Sequence, residues 1–143
     1  MRRHLPGLLL LALLAGCAHT QETCPATLAY VKDRLVTPYP ELEKFIGKEA
    51  LDATLNKPID QMVAESGGID NSIAGGERHV KEYQDELKDE KARRTELKNE
   101  GMSDAWIDTY ILSIKDGVTI NQAFVDAVKC RQARQAEQIQ AAP

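Results

Sequence analysis

Three thiols, Cys17, Cys24 and Cys130, are the side chains of this chain best suited to covalent chemistry. A thiol can be acylated, can bind a metal as its thiolate, can attack a carbonyl beside a histidine, or can be oxidised with a partner to a disulfide. Metal binding is disfavoured, because neither Cys24 nor Cys130 has a second ligand at zinc-like spacing. Nucleophilic catalysis is disfavoured too. His19 sits two residues after Cys17 and His79 lies in a densely charged stretch, where it reads as a solvated surface residue. No G-x-S-x-G, H-E-x-x-H or Cys–His pattern occurs. Carboxylates are plentiful, but they interleave with Lys and Arg, whereas paired-acid catalysis needs isolated acids in apolar surroundings. One segment gathers polar side chains between glycine pairs: Ile69 to Gly76, with Asp70, Asn71 and Ser72. It reads as a loop, yet it lacks the Lys-Ser/Thr and the preceding strand of a phosphate-binding loop. No catalytic residue, metal or cofactor is expected, and the chain reads as a non-enzyme.

Cys17 has a different context. It closes an apolar run, Leu8 to Leu14, that follows Arg2 and Arg3. A basic start, a short uncharged stretch and small residues at its end form the layout of a cleaved secretory signal. The run is far below the roughly 20 residues that span a bilayer. Leu14-Ala15-Gly16-Cys17 resembles the lipobox of bacterial lipoprotein precursors, a likeness confined to about the first 20 residues. It implies that the Cys17 sulfur receives a diacylglyceryl group, that residues 1–16 are removed, and that the new amine gains a fatty acyl chain such as palmitate. Residues 17–23 then form a lipidated N-terminus and short tether, whose six residues before Cys24 reach about 20 Å when stretched. Ala18 stands where an aspartate favours the inner membrane, so in a Gram-negative host the implied address is the outer membrane, periplasmic face. With Cys17 given to lipid, Cys24 and Cys130 remain as an even pair in an oxidising compartment. They are expected to form a disulfide. It would close a loop of just over 100 residues, a constraint of about 4–5 kcal/mol in the chain-entropy limit.

Cleavage would leave a single-domain length. Hydrophobic content of 43% and charged content of 28% suit a folded chain, and an aromatic share of 5% implies an aliphatic core. Loss of Arg2 and Arg3 takes the formal charge from −4 to about −6. Nucleic acid and direct adhesion to anionic headgroups both need a basic face, so neither is an expected partner. The membrane would be held through lipid alone.

Periodicity predicts an all-α domain over 24–138, built on a long antiparallel αα-hairpin with shorter N-terminal helices, and a frayed tail at 139–143. Thr23 is the expected N-cap of a first helix, with Pro25 in its first turn and Leu28, Val31 and Leu35 on one face. Thr37-Pro38-Tyr39-Pro40 breaks it as a stiff connector. Short helical pieces follow at Glu41 to Ile46, Ala50 to Leu55 and Pro58 to Ser66, the last stopped by Gly67-Gly68. Glu77 to Glu100 reads as one helix carrying the i,i+4 pairs Glu77–Lys81, Asp89–Arg93 and Glu90–Arg94. Gly101-Met102 turns the chain, Ser103 caps the next helix, and Ile107, Ile111, Ile114 and Val118 begin its apolar stripe. Ser103 to Cys130 is about 40 Å of helix, so a disulfide at one end places the Gly101 tip well away from the membrane.

Near that tip, Met102 and Trp106 are candidate partner contacts, since tryptophan is a common interface anchor. Alternatively, Trp106 folds back over Leu97. The expected function is a membrane-anchored envelope protein that binds or scaffolds another, unidentified envelope protein. The rival is an inhibitor or immunity lipoprotein that plugs a cell-wall hydrolase or toxin with the Ile69–Gly76 segment. The residue pattern specifies no oligomeric state.

Overall fold

A computed structural model describes residues 23–143. The expected leader, Cys17 and residues 17–22 of the tether lie outside the described residues. Within them every regular element is helical: a 3-10 helix over Ala29–Arg34, then α1 (Tyr39–Ile46), α2 (Lys48–Asn56), α3 (Ile59–Glu65), α4 (Ile69–Leu87), α5 (Glu90–Asn99) and α6 (Asp104–Ala141). The all-α hairpin class is therefore the observed one, with α4 and α5 forming one arm and α6 the other.

α6 is the spine. Its 38 residues extend for about 57 Å. Ser103 caps it as expected, its hydroxyl accepting the Trp106 N–H at 3.2 Å. The rest of the chain runs along this helix twice, each time antiparallel to it. The first pass begins where Cys24 is bonded to Cys130, Cα atoms 5.7 Å apart. The Pro25 carbonyl accepts from Arg131 at 2.8 Å. Leu28 and Val31 pack with Ile120, Ala123, Ala127 and Val128. Val36 and Thr37 donate their N–H groups to the Asp116 carboxylate at 2.7 and 3.0 Å. Phe45 reaches the Trp106 ring, centroids 5.5 Å apart. α2 and α3 then bring the chain back, so that Ile59 donates to the Ala26 carbonyl at 2.9 Å and Asp60 pairs with Arg131. The second pass is α4 and α5. Gln132 donates to Asp70, Lys129 pairs with Glu77, and Tyr83 lies over Gly117. Arg94 meets Asp108, and Lys98 meets Asp104.

This double pass explains where the helices depart from the sequence expectation. No α-helix starts at Thr23. Residues 23–28 are irregular because their carbonyls serve Arg131 and Ile59 in place of a helix ladder. The three-residue spacing of Leu28 and Val31 suits a 3-10 turn, with three residues per turn, better than an α-turn. Pro40 does not sit in the connector but in the first turn of α1, where a missing N–H is harmless. Ile69 to Gly76 is not a loop; it forms the opening turns of α4. Gly67 and Gly68 take φ of 84° and 111°, values open to glycine, and their N–H groups close α3 by donating to Ala64 and Val63 carbonyls. Ser72 is buried and donates back to the Gly68 carbonyl at 2.7 Å. The expected single helix from Glu77 to Glu100 is broken at Lys88-Asp89. Asp89 leaves helical geometry (φ −124°, ψ 60°) and caps α5 by accepting the Ala92 N–H. So the Asp89–Arg93 pair gives way to Arg93 with Glu86 and Glu96, while Glu90–Arg94 forms at 2.9 Å. Glu77 and Lys81 turn instead to Lys129 and Asp85. The tail expected to fray at 139–143 continues α6 as far as Ala141.

Asp116 is the one fully buried acid among the described residues, with 0% exposure. Both its oxygens accept from backbone N–H groups of the connector, which fastens a non-helical strap to the middle of α6. Asp116→Asn keeps the shape but points an amide donor at one of those N–H groups. Urea unfolding should show a loss of about 2–3 kcal/mol; a loss below about 0.5 kcal/mol would mean the strap is not held there.

Candidate functional site

Two features stand out on this frame, one at the turn between α5 and α6 and one along α6. At the turn, Met102 is 40% exposed and Trp106 36%. Leu97 packs with Ile107, Ile111 and Ile114, while the Trp106 indole stacks on Tyr110 at 5.2 Å with an 11° tilt and meets Phe45 from α1. The first pass of the chain thus adds an element that helix periodicity in α6 could not foresee. Ile46, next to Phe45 and 43% exposed, joins Met102 and Trp106 as exposed apolar surface at the end of α6 opposite the disulfide.

Tyr110 carries the electrostatics of this region. Its hydroxyl donates to Glu86 and accepts from Arg93 Nη2 at 3.1 Å. Arg93 also donates from Nη1 to Glu96 at 2.7 Å. Burial holds the Tyr110 hydroxyl above its usual pKa of 10, helped by the Glu86 hydrogen bond and opposed by Arg93. The Arg93 guanidinium is held charged, chiefly by its hydrogen bond to Tyr110 and then by Glu96.

The second feature is a cleft of about 1000 Å³ between α2–α3 on one side and α4 on the other, with α6 beneath. Tyr110, Ser113, Ile114, Gly117, Ile120, Asn121 and Phe124 of α6 line it together with Ile46 of α1, Leu51 of α2, Met62 of α3 and Gly75 and Tyr83 of α4, and its lining includes the charged Lys57, Glu65, Arg78 and Glu86. Gly76 and Gly117 bring the helices close. A Cβ on Gly76 would lie 2.5 Å from Val125 Cγ2, and one on Gly117 would lie 3.0 Å from the Tyr83 ring. Gly75 differs, since a Cβ there meets nothing within 4 Å.

The chain matches no protein family, no curated protein and no solved structure. Among the described residues no group of three or more His, Cys, Asp or Glu side chains could hold a metal ion. Among them, too, no helix is long and apolar enough to cross a membrane.

Of the sequence candidates, Cys24 and Cys130 are brought together, and Met102 and Trp106 share one exposed end. Cys17 lies outside the described residues. Asp70, Asn71 and Ser72 converge on no site: Asp70 faces Gln132, Asn71 donates to the Gly67 carbonyl and Ser72 is buried. The cleft was not anticipated, although Gly75, Gly76 and Gly117 on facing helices were its signal.

The two adjacent glycines should respond oppositely to alanine. Gly76→Ala is expected to lower unfolding stability by about 1–3 kcal/mol through the clash with Val125. Gly75→Ala should be neutral or stabilising by up to about 1 kcal/mol; equal losses at both would contradict this packing. Tyr110 supplies a pH effect. Its folded pKa is raised, so its contribution to stability is present below pH 10 and is lost as pH rises through the raised value. The tyrosinate absorbance difference between the wild type and Tyr110→Phe should therefore titrate above pH 10; a midpoint at or below 10 would contradict it.

Proposed function

We propose that this chain is a lipid-anchored envelope protein that holds an apolar patch at a set distance from the membrane to dock another envelope protein. The observation that carries the reading is the opposition of the two ends of α6. The disulfide ties the N-terminal strap to Cys130. The exposed Ile46, Met102 and Trp106 gather near the far end, about 36 Å away along the 24 residues between Trp106 and Cys130. A chain joined to lipid through Cys17 would have only a few residues between anchor and clamp, so the patch would stand off by about two thirds of the length of α6. Exposed aromatic and methionine side chains beside charged neighbours suit a protein interface.

The inhibitor reading loses its carrier. It required Ile69 to Gly76 to project as a plug, and that segment is helical and seated against α6. A helical stand-off with one apolar end is better suited to scaffolding.

Photo-crosslinking in intact cells tests this reading. A photoreactive residue at Met102 or Trp106 should give one discrete protein adduct, and the same residue at Ile139, at the opposite end, should not. The adduct should vanish when Ile46→Glu is added. It should also vanish when Cys17→Ser prevents acylation and the chain is exported under an ordinary cleavable leader. Adducts only from Ile139, or none from the patch, would overturn the docking reading; an adduct indifferent to Cys17→Ser would overturn the anchored one.

A further inference from the structure

α6 outlasts the fold it supports. The buried core ends at Val128 and the disulfide clamp lies at Cys130, yet the helix continues to Ala141, about 16 Å past the clamp. Arg131 and Gln132 still meet Pro25, Asp60 and Asp70, but every residue from 135 to 141 is exposed. Glutamine and alanine suit a helix, and here they only propagate one already formed, so the projection holds as a rod without cover of its own. Its surface differs from that of the body. Charged residues make up 28% of the chain, whereas residues 135–143 hold a single one, Glu137. Ile139, in the last turn, is 77% exposed, the highest value for any large apolar side chain of the described residues. Glu137 stands about 200° round the helix from it.

Direction and length select what this rod meets. Under the docking reading, on which this inference rests, the bilayer lies on the side of the clamp away from Trp106, and the rod projects to that side. Six residues separate Cys17 from Cys24, a reach of about 20 Å, slightly more than the rod extends past the clamp. The rod therefore arrives at the headgroups before the clamp can, and the tether is long enough to let it. A protein occupant suits it poorly. Two turns of helix with one large apolar side chain offer far less than the roughly 800 Å² per partner of a stable interface. A bilayer needs no matched shape, and the anchor supplies the proximity, so one interfacial side chain is enough. We infer that residues 135–141 form a foot that rests on the lipid headgroups with Ile139 among the upper acyl chains. The foot adds about 16 Å to the height of the patch at Met102 and Trp106.

The test uses the lipidated protein, purified from membranes and rebuilt into phosphatidylcholine vesicles. Wild type reports from Trp106, its single tryptophan. Ile139→Trp adds an indole at the foot, and combining it with Trp106→Phe leaves that indole alone. Bromine atoms near the top of the acyl chains should quench the indole at position 139 at least twofold and leave Trp106 of the wild type within a tenth of its unbrominated intensity. If the double variant does not fold, the difference between Ile139→Trp and wild type gives the same reading. Ending the chain after Arg134 removes about 10 Å of rod and no core residue. The protein layer on a supported bilayer should then thin by about that amount in neutron reflectometry. The mass of each sample separates the failures. An unacylated Cys17 would overturn the anchored reading and the foot with it. An acylated chain whose indole at 139 is unquenched, or whose Trp106 is quenched alike, or whose layer does not thin, would overturn the foot alone. So would an indole at 139 shielded without lipid in a chain that sediments as a dimer, which would give the rod to a second copy.

Discussion

The fastening of a non-helical strap to α6 is the constraint on which the rest of this structure depends. Residues between Cys24 and the start of α1 have no ladder of their own beyond one short 3-10 helix. They are held by a covalent bond at Cys130 and by two backbone N–H groups on the Asp116 carboxylate. Between these points Leu28 and Val31 are wholly buried. A buried carboxylate is costly unless its lone pairs are met, and here the strap meets them. The exchange favours this register: a one-residue shift one way would set Pro38, which has no N–H, against Asp116. From that register follows the path of α1 toward Trp106, and from the return through α2 and α3 follows the cleft.

The disulfide acts on the same segment. It joins residues 106 apart in sequence, so it restricts the unfolded chain strongly, by about 4–5 kcal/mol in the entropic limit. It also sets where any load on the N-terminus enters the fold, which is one end of the longest helix. The Phe45, Trp106 and Tyr110 rings hold the other end of the strap. Clamp, buried acid and aromatic cluster thus space three attachments along α6, and α4 with α5 covers a second side.

Much of this was legible in the sequence. The apolar spacing of Ile107, Ile111 and Ile114, the Ser103 cap and the Gly101-Met102 turn mark α6 and its partner arm, and all of them are found where the pattern put them. The Cys24–Cys130 pair followed from parity once an oxidising compartment was expected. What local pattern could not show was competition for backbone groups by distant side chains. Asp116 lies four residues from Leu112 and four from Ile120 on a second apolar stripe of α6, an anomaly visible in the sequence, but its partners stand about 80 residues away. Ile69 to Gly76 was read as a loop because polar residues and glycines favour turns; contact with α6 and the Gly67-Gly68 stop overrode that preference. The break at Asp89 turns on one side chain choosing to cap α5 in place of pairing with Arg93. The contact of Phe45 with Trp106 was not legible, because the path of α1 to that end depends on the strap.

Hydrogen exchange on the folded chain tests the fastening most directly. Val36 and Thr37 belong to no helix, so their amides would ordinarily exchange within seconds or less once exposed to water. If Asp116 holds them, they should exchange nearly as slowly as the amides of Ile120 and Val125 in α6. Free exchange at Val36 and Thr37 while α6 stays protected would contradict the account, since the strap would then lie on the spine without being bound to it.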